Sequence, residues 1–207
     1  MTSPPSEARR TALRRLLHAA NAPSDGAWLA AFRFAFGIAM AVSMLRFIAY
    51  GWIDVLFVRP SFHVKYWLFP CIEPLSAPGM HRLFWVLFAL ALCVAFGLLF
   101  RLSAPLFTLG FTYLQLIDVA TYLNHYYLAS LLALLLACSP AGRVASLDAW
   151  LRPRLRLSAL PLAWLWLFRL QVAVVYSYAG LAKAHGDWLY YAQPLRIWLG
   201  GHTDMPL

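Results

Sequence analysis

The sequence predicts an all-α polytopic membrane protein, a bundle of about five transmembrane helices preceded by a short basic amphipathic helix. Two observations indicate this class. Hydrophobic residues make up 62% of the 207 residues and charged residues 12%, whereas a soluble domain is about half apolar and about one quarter charged. The apolar residues also form runs of the length, about 20 helical residues, that crosses a hydrocarbon core.

The formal net charge of +9 could suggest a nucleic-acid partner. The arginines, however, fall between apolar runs and do not interleave with aromatic residues on one soluble face. We therefore interpret them as topology signals and expect a lipid bilayer, not nucleic acid, around the chain. The histidines and cysteines show no HxxxH, HExxH or CxxC spacing, so we expect no metal site.

Residues 1–26 are predicted to be a cytoplasmic segment that contains the amphipathic helix. From Arg9 to Ala20 the leucines share one helical face opposite Arg14 and Arg15, which is typical of a helix lying on a membrane surface. The apolar run that follows is too long for a secretory signal and is the first predicted span.

The first span carries two arginines. Arg46 lies near its end and can reach the headgroups, whereas Arg33 lies about two turns inside and should face protein or the interface. The following segment, residues 51–82, contains four prolines among aromatic residues, which predicts an ordered and partly interfacial loop.

The remaining chain predicts four further spans. A tight turn at Ser103 to Pro105 should separate the second from the third, and Pro161 suits the first turn of the fifth. The five predicted spans, which with the rest of residues 27–207 form one transmembrane domain, are about 27–50, 83–100, 106–119, 123–138 and 161–182.

Positive charges predict the orientation. With the N-terminus inside, the inner segments carry nine arginines: Arg9, Arg10, Arg14, Arg15, Arg101, Arg143, Arg152, Arg154 and Arg156. The outer segments carry five positive residues: Arg59, Lys65, Arg82, Lys183 and Arg196. This excess favours a cytoplasmic N-terminus. Four polar residues then share the outer membrane level: Asp118, Asn124, His125 and Lys183.

Lys183, directly after the fifth span, has two interpretations. It can be an anchor whose stem lies in lipid while its ammonium reaches the headgroups. Alternatively it is a catalytic base, because a lysine in a poorly hydrated pocket loses its charge easily. A base needs no carboxylate against it, and Asp187 is only one turn further along the chain.

Other polar residues are equally ambiguous. Asn124 can be a helix cap and His125 an interfacial side chain, or the pair can orient an anion and pass a proton. Arg169, within the fifth span, either pairs with Asp118 or faces an anionic group in a cavity. A cluster of tyrosines is typical of a membrane belt, but it could also line a flat slot for a quinone ring: Tyr113, Tyr122, Tyr126, Tyr127, Tyr176 and Tyr178.

Three segments resemble the transmembrane domain of the vitamin K-dependent gamma-glutamyl carboxylase family, in its bacterial form. They are GFTYLQLIDVATYLNHYYLASLLALLLACSPAGRVASLDAW at 110–150, FRLQVAVVYSYAGLAKAHGDWL at 168–189 and FRFAFGIAM at 32–40, and they occur in the order found in that family.

The resemblance implies an enzyme that uses a reduced vitamin K type hydroquinone, O2 and CO2 to carboxylate glutamate side chains of a polypeptide. The family's catalytic lysine, in an AG-x-x-K context before a DW pair, falls on Lys183, and its histidine, in an NH pair, falls on His125. We expect Lys183 to be the base and His125 to hold an oxyanion or the cofactor. We expect further cofactor contacts from four residues: Asn124, Tyr126, Arg169 and Tyr176.

The chain also departs from the family. Family members usually continue beyond the equivalent of Leu207 into a β-rich domain, so we expect a truncated C-terminus. Animal members tend to have a second lysine where this chain has Ala182. The alternative function is a non-catalytic membrane module that binds a quinone or lipid, or packs against a partner protein. The expected location is the bacterial inner membrane, with the active site on the outer side.

Overall fold

The structure is a computed structural model that describes residues 14–15 and 18–200. It divides into two compact units, Met1–Phe168 and Arg169–Leu207, which are described separately. The predicted all-α membrane class is confirmed. Within the described residues, three helices are long and apolar enough to cross a membrane, Ala27–Ala49, Ala77–Phe96 and Leu162–Ala182, and a shorter apolar helix spans Asn124–Cys138.

The elements follow one another with short connections. In chain order they are β1 (Pro23–Asp25), α1 (Ala27–Ala49), α2 (Ala77–Phe96), α3 (Phe100–Ile117), α4 (Asn124–Cys138), α5 (Leu147–Leu151), β2 (Ala159–Pro161), α6 (Leu162–Ala182), α7 (Gly186–Leu189) and α8 (Gln193–Gly200). A π-helix covers Asp54–Val58, and 3-10 turns cover Val119–Thr121, Ala141–Arg143 and Pro153–Leu155.

Helices α1 to α4 form the core of the first unit, packed in sequence order. A glycine permits the closest approach. A Cβ on Gly37 would lie 2.5 Å from the backbone nitrogen of Ala95, so only glycine lets α1 and α2 touch here. Aromatic rings fill the centre: Phe47 stacks on Phe84 with centroids 5.3 Å apart, and Phe107 stacks on Phe111 at 5.7 Å.

Arg33 is buried in this core with 2% of its surface exposed, which confirms the prediction that it faces protein. Its guanidinium donates to four backbone carbonyls: Ala95 (3.3 Å), Ala141 (2.5 Å), Val144 (2.8 Å) and Ala145 (2.8 Å). A charge buried in this way is tolerated because its donors are satisfied. Arg33 therefore ties α1 to the end of α2 and to the chain after α4.

The predicted turn at Ser103 to Pro105 is wrong. The chain turns earlier, at Gly97 to Leu99, and α3 continues through Pro105. The start of α3 is set by Asp148, whose carboxylate accepts from the backbone N–H groups of Leu99 (2.9 Å) and Phe100 (2.8 Å). This cap comes from nearly 50 residues away, so local sequence could not reveal it. The two helices that flank this turn begin at Ala77 and Phe100, each about six residues earlier than the predicted spans 83–100 and 106–119.

The loop between α1 and α2 is ordered, as predicted, and shorter than residues 51–82 because α2 begins at Ala77. Two contacts hold it. Lys65 pairs with Glu73 at 3.0 Å, and the backbone N–H of Val119 donates to the carbonyl of Val64 at 2.9 Å. The loop is therefore attached to the turn between α3 and α4.

A two-stranded antiparallel sheet was not predicted. Strand β1 pairs with β2 in the register Pro23 to Pro161, Ser24 to Leu160 and Asp25 to Ala159. Pro161 is thus the last strand residue and not the first turn of a helix. Of the predicted N-terminal amphipathic helix, Arg14, Arg15 and His18 to Ala20 are helical; its other residues lie outside the described chain.

The second unit contains most of α6, from Arg169 onward, followed by α7 and α8. The most apolar window of α6 is 6% buried, against 33% in α1 and in α2. Protein covers little of this apolar helix, and an uncovered apolar surface is typical of a helix that faces lipid.

Candidate functional site

The turn between α3 and α4 is anchored by Asp118, which is 7% exposed. One carboxylate oxygen accepts from the backbone N–H groups of Ala120 (2.8 Å) and Val64 (3.2 Å). The first bond caps the 3-10 turn, and the second attaches the loop before α2. Backbone donors thus hold this carboxylate in place, which fixes the position where α4 begins.

Asn124 and His125 are the first residues of α4. The residue that caps this helix is Leu123, so the interpretation of Asn124 as the cap is wrong. Both side chains are exposed. The imidazole of His125 packs edge-on against the ring of Tyr126, with centroids 4.5 Å apart. His125 is therefore in contact with an aromatic neighbour and remains exposed.

Tyr126 lines a cavity of about 360 Å³, here called the Tyr126 cavity. Its walls come from the end of α1, the π-helix, α3 and the start of α4: Phe47, Trp52, Val55, Leu56, Phe57, Leu114, Gln115, Thr121, Leu123 and Tyr126. The ring of Tyr126 also meets Phe111 edge-on at 6.0 Å. This cavity is apolar apart from a few groups that can form hydrogen bonds.

A second cavity of about 460 Å³, here called the Tyr122 cavity, lies between α3, α4 and the loop. Tyr122 and Tyr127 lie 6.2 Å apart, ring to ring, on its wall, and Tyr66 joins them from the loop. Burial raises the pKa of Tyr66, and the nearby Tyr122 and Asp118 raise it further. Tyr66 therefore offers a neutral hydroxyl at physiological pH.

Gln115 lines both cavities. An amide can donate and accept hydrogen bonds, so Gln115 can serve a polar group in either space. Sequence reasoning did not assign Gln115, Tyr66 or Trp52 to the site. The available signal was a glutamine within an otherwise apolar run, which is costly in lipid unless it faces protein or a cavity.

The predicted six-tyrosine slot is divided. Tyr122, Tyr126 and Tyr127 line cavities in the first unit, but Tyr113 donates through its hydroxyl to the carbonyl of Glu73 at 2.7 Å. Tyr176 and Tyr178 belong to the second unit, where both are mostly exposed.

Lys183 follows the last residue of α6 in the second unit. Its Nζ lies 5.0 Å from the centroid of the Trp188 ring, within the range of a cation–π contact. The ion pairs of the described residues do not include Lys183, and Asp187 lies 3.8 Å from His185 instead. Among the described residues, Asp187 therefore pairs with His185 and not with Lys183.

The site residues are distributed over both units. Asn124, His125 and Tyr126 lie in the first, while Arg169 and Tyr176, on α6, lie in the second with Lys183. Whether Arg169 pairs with Asp118 therefore stays a prediction.

The family model of the HTTM domain matches residues 21–207. This domain is found in proteins of the vitamin K-dependent gamma-glutamyl carboxylase family. The resemblance carried by the three segments is thereby confirmed. No solved structure matches the chain.

Proposed function

We propose, because the chain belongs to the HTTM domain family, that it is a membrane-embedded gamma-glutamyl carboxylase-like enzyme. In this proposal it couples oxygenation of a vitamin K type hydroquinone to carboxylation of glutamate side chains of a polypeptide. The observation that carries the proposal is the pair of aromatic cavities on either side of Gln115, next to the exposed imidazole of His125.

The residues present fit a hydroquinone. Cofactor sites are concave, mostly apolar and about 300–1,000 Å³ in volume, with few polar groups. Both cavities have this character. A flat ring can stack on Trp52 and Tyr126 in one, or on Tyr122 and Tyr127 in the other. Gln115 can form a hydrogen bond with a ring hydroxyl in either position.

When bound, the hydroquinone supplies the electrons for the reaction with O2 and the base strength needed to deprotonate the γ-carbon of glutamate, which an amine lacks. Lys183 accepts a proton at Nζ from the hydroquinone hydroxyl, for which its amine must be neutral. Among the described ion pairs, none joins this amine to a carboxylate.

The other predicted site residues hold and orient the cofactor. His125 donates a hydrogen bond to an oxyanion, and the ring of Tyr126 sets the direction of its imidazole. Asn124 provides an amide on the same helical turn. Arg169 and Tyr176, on α6, are the further residues that the proposal assigns to the cofactor.

The proposed location is the bacterial inner membrane. Nine positive residues in the inner segments against five in the outer ones support a cytoplasmic N-terminus. The segments that carry His125 and Lys183 then both face the outer side.

One observation favours the alternative of a non-catalytic membrane module. Lys183 is exposed and its ammonium lies over Trp188, an arrangement that is also typical of an interfacial anchor. A protein of this kind would bind a quinone or lipid without turnover.

Quinone epoxidation by the purified full chain distinguishes the two functions. The chain has two lysines, Lys65 and Lys183, which gives a matched pair of variants. Lys183→Arg keeps the positive charge but cannot act as a neutral base, so we expect turnover to fall by at least about 100-fold. Lys65→Arg keeps the pair with Glu73 and should retain wild-type turnover.

Lys183→Ala should match Lys183→Arg, since both lack a proton acceptor. Equal turnover in the wild type and in both Lys183 variants would remove this lysine from the mechanism. Turnover in none of the proteins, with quinone still bound, would establish the non-catalytic module instead.

A further inference from the structure

Three arginines converge on a cavity of about 230 Å³ at the opposite end of the first unit from His125. We call it the arginine cavity and define it by Arg101, Arg143, Arg152, Leu99, Leu102 and Leu155. It plays no part in the proposed carboxylase chemistry.

Three separate segments build this cavity. Arg101 is in the first turn of α3, Arg143 ends a 3-10 turn, and Arg152 follows α5. A glycine brings the segments together: a Cβ on Gly142 would lie 2.6 Å from Cβ of Phe100. The close contact places Arg143 beside the start of α3.

The charges in this cavity are not balanced. Asp148 is the one carboxylate among the residues that line it, and its two oxygens accept from the backbone N–H groups of Leu99 and Phe100. Within the described residues, the ion pairs include none of the three arginines. Three arginines among the residues that line so small a space attract an oxyanion, and phosphate is a group to which arginine binds well.

The rim of the cavity is apolar. Leu99 and Leu102 are 59% and 58% exposed, and Leu155 is also exposed. Leu99 adopts a left-handed backbone conformation, with φ of 45°, which is uncommon for a leucine. The turn thus presents an aliphatic side chain directly beside the guanidinium groups. A ligand that satisfies both features has a phosphate and a hydrocarbon chain.

We propose that the arginine cavity binds the phosphate headgroup of an anionic phospholipid, with the acyl chains lying along Leu99 and Leu102. The same end of the unit carries the excess of arginines that predicts the cytoplasmic side. Basic pockets at that membrane surface bind anionic headgroups, because the inner leaflet concentrates negative lipids. Free phosphate shares the headgroup chemistry, but it gains nothing from the leucines.

The test is binding of phosphatidylglycerol to the purified full chain in neutral detergent, measured by native mass spectrometry, with phosphatidylcholine as the uncharged comparison. Arg143→Gln/Arg152→Gln should weaken phosphatidylglycerol binding by about 30-fold, since each of the two arginines contributes a similar increment to the free energy of binding an anionic lipid. Arg59→Gln/Arg82→Gln removes two exposed charges elsewhere and should change binding by less than about twofold.

Two further variants secure the result. If the double glutamine variant does not fold, Arg143→Lys/Arg152→Lys keeps the charge and should still weaken binding, because lysine lacks the bidentate fork. Leu99→Asn suits the left-handed conformation and removes the aliphatic contact, so it should weaken phosphatidylglycerol but not inorganic phosphate.

Wild-type binding in the charge-removed and lysine variants would overturn the proposal. Inorganic phosphate that displaces phosphatidylglycerol with equal affinity, together with no effect of Leu99→Asn, would overturn the assignment to a lipid in favour of a free oxyanion.

Discussion

The two ends of the first unit each bury one ionisable side chain against the backbone, but they do so differently. At the Arg33 end, where the turn of residues 97–99 meets residues 139–158, one guanidinium binds four carbonyls from two distant segments. At the His125 end, where residues 118–125 meet the loop before α2, one carboxylate oxygen binds two N–H groups.

This difference separates stability from ligand access. Arg33 links three parts of the chain and is enclosed by them, which makes the Arg33 end a structural junction. Asp118 holds only a turn and a loop, and leaves Asn124, His125 and Tyr122 exposed around open cavities. Loops on a rigid scaffold commonly carry function in this way.

The largest expected effect is at the Arg33 end. Arg33→Met should cost at least about 4 kcal/mol, because four carbonyls lose their donor and each buried unsatisfied group costs about 1–3 kcal/mol. Unfolding in detergent, followed by circular dichroism, measures the loss. Arg46→Met is the matched control in the same helix: its guanidinium lies 5.4 Å from the Trp52 ring centroid, a contact that contributes about 1 kcal/mol or less. Similar losses in both variants would contradict the assignment of Arg33 as a junction.

An intermediate effect is expected at the His125 end. Asp118→Ala should cost about 2 kcal/mol, because the N–H groups of Val64 and Ala120 lose their acceptor. Hydrogen exchange should rise in residues 119–123 and stay unchanged in α1 and α2, since the loss is local.

Asp118→Asn sharpens this comparison, because its amide oxygen can replace the one carboxylate oxygen that accepts both bonds. We expect it to be nearly as stable as the wild type. A loss as large as that of Asp118→Ala would show that the negative charge itself is needed, as a pair with Arg169 requires.

The smallest effect concerns Tyr66, whose pKa is raised by burial and by Tyr122 and Asp118. An acid with a raised folded pKa holds its proton longer in the folded state, so its contribution is fully present below the unfolded pKa of about 10 and is lost as pH rises above it. Tyr66→Phe should therefore lose less stability between about pH 9 and 11 than the wild type. Denaturant unfolding across this range measures the difference, and parallel pH profiles would mean that Tyr66 does not titrate as a buried group.

The candidate site was predictable in part. Tyrosines near the start of α4 indicated an aromatic slot, and three of them line cavities. Their division between two cavities was not predictable, because Tyr126 and Tyr127 are about 100° apart around the helix and the partners of each face come from α1, α3 and the loop. Gln115 acquires its position between the cavities only when α3 packs against α4.

The amino-acid sequence by itself determined the membrane class, the apolar helical runs and the orientation of Arg33 toward protein. It also carried the family motifs around His125 and Lys183. Transfer free energies and helical periodicity act over neighbouring residues, so these features can be predicted locally. Only the tertiary structure decided where α3 begins, which carbonyls receive Arg33, and which side chains surround each cavity. Asp148 caps a helix nearly 50 residues before it, and Arg33 binds carbonyls more than 100 residues after it. Contacts of that separation exist only once the helices have packed.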